Sequence, residues 1–456
     1  MSAPAFSDPP EAWDAYREAI TRIDARIDPV GPSDTSREAV RRRAAAKLAG
    51  LGAFLAFAGN PQRTYAVVHV TGTSGKGSTA AAIASLLSAA GLRTGLATSP
   101  YLQVATEKHQ VDGTLINGAA FRDLLDHVED VERRWLAATP GATPLAHGQL
   151  WAAMMLLGFA ADRVDAAVVE VGAGGRFDMT NVVEPVAAVI TSVGLDHLAT
   201  LGPGLADVAW HKAGIVKPGT LVLTGPLPPE GEAAVDAACA VRGATRIRHD
   251  RPEPGDGPDA DFMERNRVLA AQVATALATS GLVDPGRIDL ARAGDVALPG
   301  RVERMPEDGG PPVTLDGAHN PEKIAALAAW LARRQAAGEP PPVAVFAALA
   351  AKQADAAILA LAPVVQGFVF TQAPVLGKPA SPAAALETLA RSLGVAVPVA
   401  AAESPREAVE IARTAAGEAG TGTLVTGSLY LAGAVRERWF PSERIVRQRT
   451  PWPAVR

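Results

Sequence analysis

The chain reads as an α/β protein with a mostly parallel sheet and helices on both faces. Two observations carry this. Short apolar runs of strand length alternate with longer Ala-rich runs whose Leu, Ile and Val recur at helical spacing. Residues 65–90 also run strand, glycine turn, helix, the order that builds a phosphate cradle.

Composition narrows the function. With 48% hydrophobic and 20% charged residues over 456 positions, the chain can bury a sizeable core, and its length suits two or three domains. A net charge of −5 offers no basic face for nucleic acid. The single cysteine, Cys239, excludes an internal disulfide framework and any multi-cysteine metal site. Met1 to Trp13 is acidic and Pro-rich without an apolar signal core, and no uninterrupted apolar stretch reaches membrane-spanning length. These features predict a soluble cytoplasmic protein.

Residues 35–58 carry Val40, Leu48, Leu51 and Leu55 among alanines and read as a helix, with Arg41-Arg42-Arg43 on its solvated face. Strands are expected at Ala66–Val70, Thr94–Ala97, Ala166–Val171, Ala187–Thr191 and Leu221–Thr224. Helices are expected at Thr79–Ala90, Ala119–Ala138 and Gln149–Ala161. Residues 251–260 read as a loop or degenerate hairpin, followed by a helix from about Phe262 to Ser280. A domain boundary falls near Val296–Arg301. The rhythm then restarts, with strands at Val313–Leu315, Val343–Phe346, Gly367–Phe370 and Thr423–Thr426.

The turn after the first strand is Gly72-x-x-Gly75-Lys76-Gly77-Ser78. Small residues let backbone N–H groups approach an anion, the helix N-terminus adds its positive end, and Lys76 adds a point charge. The spacing is shorter than the common G-x-x-x-x-G-K-[ST] loop, with an extra glycine before the hydroxyl. A nucleoside triphosphate is the expected ligand.

Further motifs follow strands. Glu170 ends an apolar run and leads into Val-Gly-Ala-Gly-Gly-Arg-Phe-Asp-Met-Thr-Asn181. The carboxyl ends of parallel strands are where ligands bind, and a carboxylate there suits Mg²⁺. An ordinary ion pair would account for Glu170 but not for the long tail after it. Thr191 to His197 follows the next strand, and His197 is either a further metal ligand or a structural loop histidine. Lys212, in Trp210-His-Lys-Ala-Gly214, is either a helix C-terminal lysine or, if buried, one able to react with CO₂. Asp316 and His319, in Leu315-Asp-Gly-Ala-His-Asn-Pro321, suit ribose or Mg²⁺-water contacts and a carboxylate or amine respectively. Ser428 opens another strand–Gly–helix turn that can hold a carboxylate.

Taken together, HVTGTSGKGS, TSPYL, EVGAGGRFDMTN, ITSVGLDH, WHKAGIVKPG, ERNRVLAA, LPGRVERM, LDGAHNP and TGSLYLAG resemble the folylpolyglutamate synthase/dihydrofolate synthase family of the Mur ligase superfamily. They occur in the family's order across residues 69–433. The resemblance implies a P-loop ATPase domain over residues 1–297 and a smaller Rossmann-like glutamate ligase domain over 298–456, usually as a monomer. It implies ATP-dependent amide formation, in which a carboxylate of a folate or dihydropteroate takes the γ-phosphoryl group and the amine of L-glutamate displaces phosphate. A family member joining an amino acid to a non-folate carboxylate is the alternative. A non-catalytic nucleotide-binding protein is disfavoured by retention of Lys76, Glu170, His197, Lys212 and His319.

Carried over by position, Gly75, Lys76, Gly77 and Ser78 would hold the triphosphate of ATP, and Ser99, Glu170 and His197 would ligate Mg²⁺. Lys212 would be carbamylated. Asn266, Arg301 and Asp316 would bind ATP, the latter two across the domain interface. His319 and Ser428 would lie near the amino acid, with Asp178 near the acceptor. Lys76, Lys212 and His319 are the expected catalytic positions. The sequence departs from the family at Ser74, Tyr101, Ala105-Thr-Glu-Lys-His109, Gly148-Gln149 and Lys352-Gln353. Two of these departures lie on the acceptor side, whereas the ATP side is nearly intact.

Overall fold

The computed structural model describes residues 11–27, 34, 36–247, 262–294, 296, 298–350, 353–373 and 379–452. The loop expected at 251–260 and Lys352 lie outside these residues. The chain divides into two compact units, one of Met1–Val296 with Glu443–Arg456, the other of Ala297–Ser442.

The first unit is built on eight strands. These are β1 (Ala66–Thr71), β2 (Thr94–Ala97), β3 (Gln110–Val111), β4 (Thr114–Leu115), β5 (Ala166–Glu170), β6 (Ala187–Ile190), β7 (Leu221–Thr224) and β8 (Thr245–Arg246). Their order is β4-β3-β2-β5-β1-β6-β7-β8. All neighbours from β2 to β8 are parallel, and β3 and β4 extend the sheet as an antiparallel edge. The central strands are buried on both faces, which is why they read as continuous apolar runs rather than alternating ones. Their register puts Val70 beside Glu170 and Thr71 beside Ile190, so three motif loops leave one edge of the sheet.

The second unit holds β9 (Glu303–Arg304), β10 (Val313–Leu315), β11 (Val343–Phe346), β12 (Gly367–Phe370), β13 (Val399–Ala401) and β14 (Thr423–Thr426). Their order is β13-β12-β11-β14-β10-β9, parallel except for the β10–β9 pair. Phe346, Phe368 and Phe370 pack in its core, the last two stacked at 5.3 Å. Arg436 is fully buried and pairs with Glu303 at 2.9 Å, and Glu303 also accepts from the Gly300 N–H at 2.8 Å. That buried pair anchors the turn that presents Arg301.

Two features differ from the sequence reading. Residues from Glu443 onward, assigned there to the second domain, are grouped with the first unit, where the Leu115 N–H donates to the Thr450 carbonyl. A helix that the residue pattern does not predict, Ala12–Asp24, also forms. It buries Ala12, Ala15, Tyr16, Ala19 and Ile23 on one face, and Arg26 pairs with Glu132 of the Gly118–Ala138 helix. Among the described residues no helix is long and apolar enough to cross a membrane.

Candidate active site

The glycine loop follows β1, and its helix spans Lys76–Ala89, beginning three residues earlier than Thr79. Gly75 causes this. It caps the helix at φ 83°, a left-handed conformation that costs glycine little. A Cβ at Gly75 would sit 2.3 Å from Asn266 Oδ1, so Asn266 rests directly on the loop from the Phe262–Thr279 helix. Gly77 and Ser78 therefore lie in the first helical turn, whose N–H groups have no intrahelical acceptor. Lys76 Nζ donates to the Gly72 carbonyl at 3.0 Å, which folds the side chain back over the loop.

The loop after β6 clamps this cradle. Ser192 Oγ accepts from the Ser74 N–H at 2.9 Å, and Thr191 Oγ1 donates to the Ser74 carbonyl at 2.5 Å. Thr73 Oγ1 donates to the Gly194 carbonyl at 3.0 Å and accepts from the Gly194 N–H at 2.9 Å. The sequence reading treated Thr191-Ser192 only as the lead-in to His197. Their loop-clamping role needs two segments over a hundred residues apart to meet. His197 itself is half exposed at φ 53°, with Nε2 3.9 Å from Asp196.

Glu170 ends β5 nearly buried, and Ser99, after β2, donates its N–H to Glu170 Oε2 at 2.8 Å. Asp178 enters the same corner: a Cβ at Gly172 would lie 3.1 Å from Asp178 Oδ2 and 3.8 Å from Ser99 Oγ. The Asp178 carboxylate is fixed by the Ala173 N–H at 3.1 Å and by the Thr180 N–H and hydroxyl at 3.0 and 2.6 Å. Behind Thr180, His69 Nε2 lies 2.9 Å from its hydroxyl. Ser99, Glu170 and Asp178 are thus brought together. Among the described residues no three His, Cys, Asp or Glu side chains form a metal-binding group. The expected set contains two such residues and a hydroxyl.

The Trp210-His-Lys segment packs against the glycine tail of Glu170. Arg176 donates its backbone N–H to the His211 carbonyl at 2.8 Å, and its guanidinium lies 3.9 Å from the Trp210 ring centre. Gly175 must lack a side chain, since a Cβ would meet the His211 carbonyl at 2.9 Å. Lys212 ends the Leu205–Lys212 helix and is only 3% exposed.

Two buried histidines near these loops are held neutral. Burial, helped by Lys217, pushes the His69 pKa down to about 3, and burial, helped by Arg41 and Arg176, pushes His211 down to about 4. Below the ordinary value of 6.5 the unfolded chain binds protons that the folded chain refuses, so stability falls as pH falls from 6.5 toward these values. Each histidine contributes a slope of about 1.4 kcal/mol per pH unit in that window. Urea midpoints should therefore drop between pH 7 and pH 5. A flat midpoint would show that neither histidine resists protonation.

In the second unit, Asp316 follows β10. It is buried and accepts from the Ala318 and Val302 N–H groups at 2.8 and 3.0 Å. Burial raises its pKa, opposed by Arg301 and those two N–H groups. Arg301 Nη1 would lie 2.5 Å from a Cβ at Gly317, and the same Cβ would meet Leu429 Cδ1 at 2.3 Å. His319 Nδ1 lies 2.7 Å from the Gly317 carbonyl, and its Nε2 is 3.5 Å from Lys323 Nζ. Ser428 is 2% exposed, and its Oγ has no hydrogen-bond partner among the described residues. The structure thus gathers Arg301, Asp316, His319 and Ser428 at the carboxyl edge of β10 and β14.

A glycine loop and a buried carboxylate on one mostly parallel sheet are followed by a second mostly parallel unit, and the family matches make the chain an ATP-dependent ligase of the Mur type. Residues 70–221 match the Mur ligase middle domain, and residues 300–429 match the Mur ligase glutamate ligase domain. The chain belongs to the folylpolyglutamate synthase/dihydrofolate synthase family, whose members form C–N bonds at the expense of ATP. It is 34% identical to folylpolyglutamate synthase of Lacticaseibacillus casei, with 83% of this chain and 91% of that protein covered. It is 31% identical to dihydrofolate synthase/folylpolyglutamate synthase of Mycobacterium tuberculosis, covering 85% and 89%. Folylpolyglutamate synthase of M. tuberculosis complexed with ADP superposes with a TM-score of 0.78 at 29% identity, over 94% of this chain and 99% of that one. An FPGS–AMPPCP–folate complex superposes with a TM-score of 0.72 at 29% identity, covering 93% and 99%.

Proposed function

We propose that this chain joins the amino group of L-glutamate to a carboxylate of a folate or of dihydropteroate, through an acyl phosphate. The observation that carries the reading is the corner where Ser99 holds Glu170 beside Asp178, on a strand adjacent to the Gly72–Ser78 cradle. In this reading Lys76 and the N–H groups of Gly77 and Ser78 grip the triphosphate, with Asn266 seated on Gly75. The acceptor carboxylate attacks the γ-phosphorus, the bond to the bridging oxygen breaks, and ADP leaves. Glutamate's amine then attacks the acyl carbon, phosphate leaves and a proton is released.

Ser99 and Glu170 offer hard oxygen donors that fit Mg²⁺; the nitrogen of His197 is a softer third ligand. Bound there, Mg²⁺ neutralises phosphate charge. Lys212, buried at 3% exposure, suits carbamylation, in which its neutral amine adds to CO₂ and loses a proton. Asp316 and Arg301 are assigned to ATP, and His319 and the Ser428 hydroxyl to the incoming glutamate. Gln149, one of the departures from the family, has a structural part. Its amide accepts from the Ala146 N–H at 2.8 Å and donates to the Lys47 carbonyl at 2.8 Å, which ties two helices together.

The purified chain with ATP, Mg²⁺ and L-glutamate should release phosphate only when dihydropteroate or tetrahydrofolate is also present. Equal release without an acceptor would overturn the ligase mechanism. Release only with a non-folate carboxylate would overturn the acceptor assignment.

A further inference from the structure

One cation packed on Tyr101, two residues after the Ser99 whose N–H holds Glu170, is not used by the scheme above. Lys108 ends the Ala105–Lys108 turn that leads into β3. Its ammonium lies 5.1 Å from the Trp151 ring centre and 6.0 Å from that of Tyr101. Among the described residues it forms no ion pair. Glu170, Asp178 and Glu107 each favour its charged form.

The neighbouring groups explain why this charge stays available. Glu107, next in sequence, is occupied with backbone. It accepts from the N–H groups of Leu102, Gln103 and Val104 at 2.7, 2.7 and 2.9 Å. The Trp151 ring is locked from behind, its Nε1–H donating to His147 Nε2 at 3.1 Å and its face tilted on Phe121 at 5.9 Å. The Ala105 N–H donates to the Tyr16 hydroxyl at 2.9 Å, which fixes the turn itself. A half-buried ammonium on a rigid aromatic platform is costly unless an anion meets it. Burial holds its pKa below the ordinary lysine value, and Glu170, Asp178 and Glu107 offset this only in part.

We propose that Lys108 is the residue that recognises the acceptor's carboxylate, holding it toward the Glu170 corner between the Tyr101 and Trp151 rings. This rests on the acceptor assignment above. Lys108 acts as a specificity residue: the ammonium selects an anionic acceptor, and the rings limit where its oxygens can sit. Arginine at this position would offer a wider fork and a charge that does not titrate.

The test separates charge recognition from packing. Affinity is measured in the presence of ADP for 7,8-dihydropteroate and for the same pterin with its carboxylate converted to a primary amide. The wild type should prefer the carboxylate by at least about tenfold. Lys108→Met should lose that preference while ADP affinity stays within about twofold, and Lys108→Arg should restore most of it. A full preference in Lys108→Met, or an equal loss for both probes, would overturn the proposal. If the wild type binds neither probe while ADP still binds, the acceptor assignment falls and this inference with it.

Discussion

Replacing Lys76 with alanine should lower acceptor-dependent phosphate release by roughly 100- to 1,000-fold, the usual cost of removing one positioned charge stabiliser from a phosphoryl or acyl transfer site. The side chain sits at the first position of the Lys76–Ala89 helix, with Nζ 3.0 Å from the Gly72 carbonyl. It is therefore held over the cradle rather than buried in a core. Its removal leaves Gly75, Asn266 and the Thr191–Ser192 clamp in place. The unfolding midpoint should stay near wild type while AMPPCP affinity falls. Turnover near the wild-type rate would remove Lys76 from the triphosphate site.

Glu170→Gln should be the next most damaging change. Glutamine has nearly the same shape and can still accept the Ser99 N–H that Glu170 takes at 2.8 Å. What it loses is the negative charge, at a position only 6% exposed where solvent screening is weak. The Mg²⁺ concentration needed for half-maximal phosphate release should rise at least about tenfold, with turnover falling by a similar or larger factor. An unchanged Mg²⁺ requirement would show that Glu170 serves only to hold the Ser99 backbone.

Much of this site is legible in the residue order because each motif combines a strand end with its own glycines. β2 and β7, and four strands of the second unit, fall where the apolar runs place them. Strands buried on both faces leave that trace in any reading. The β3–β4 pair leaves little. Each strand has two residues, and their pairing depends on neighbours rather than on pattern. Helix starts shift for a similar reason. The alanine run predicts a start at Thr79, whereas Gly75's left-handed backbone starts the helix at Lys76.

The candidate site residues divide along the same line. Lys76, Glu170, Asp316 and Ser428 are each marked by a local signature, a carboxylate, cation or hydroxyl at the end of an apolar run or in the turn after it, whereas Asp178 is marked only by the family resemblance. Nothing local marks Thr191 and Ser192 as the clamp on Ser74, His69 as the support behind Thr180, or Lys108 as the cation on the Tyr101 and Trp151 rings. The motif order alone marks the phosphate cradle and the parallel-sheet class, because backbone conformation and strand burial are written into neighbouring residues, and the ligase family follows from the resemblance of those motifs. Only the tertiary structure decides which side chains from distant segments share a corner, and which are used up by backbone, as Glu107 and Gln149 are. Charge and hydrogen bonding act through space, and sequence distance does not record them.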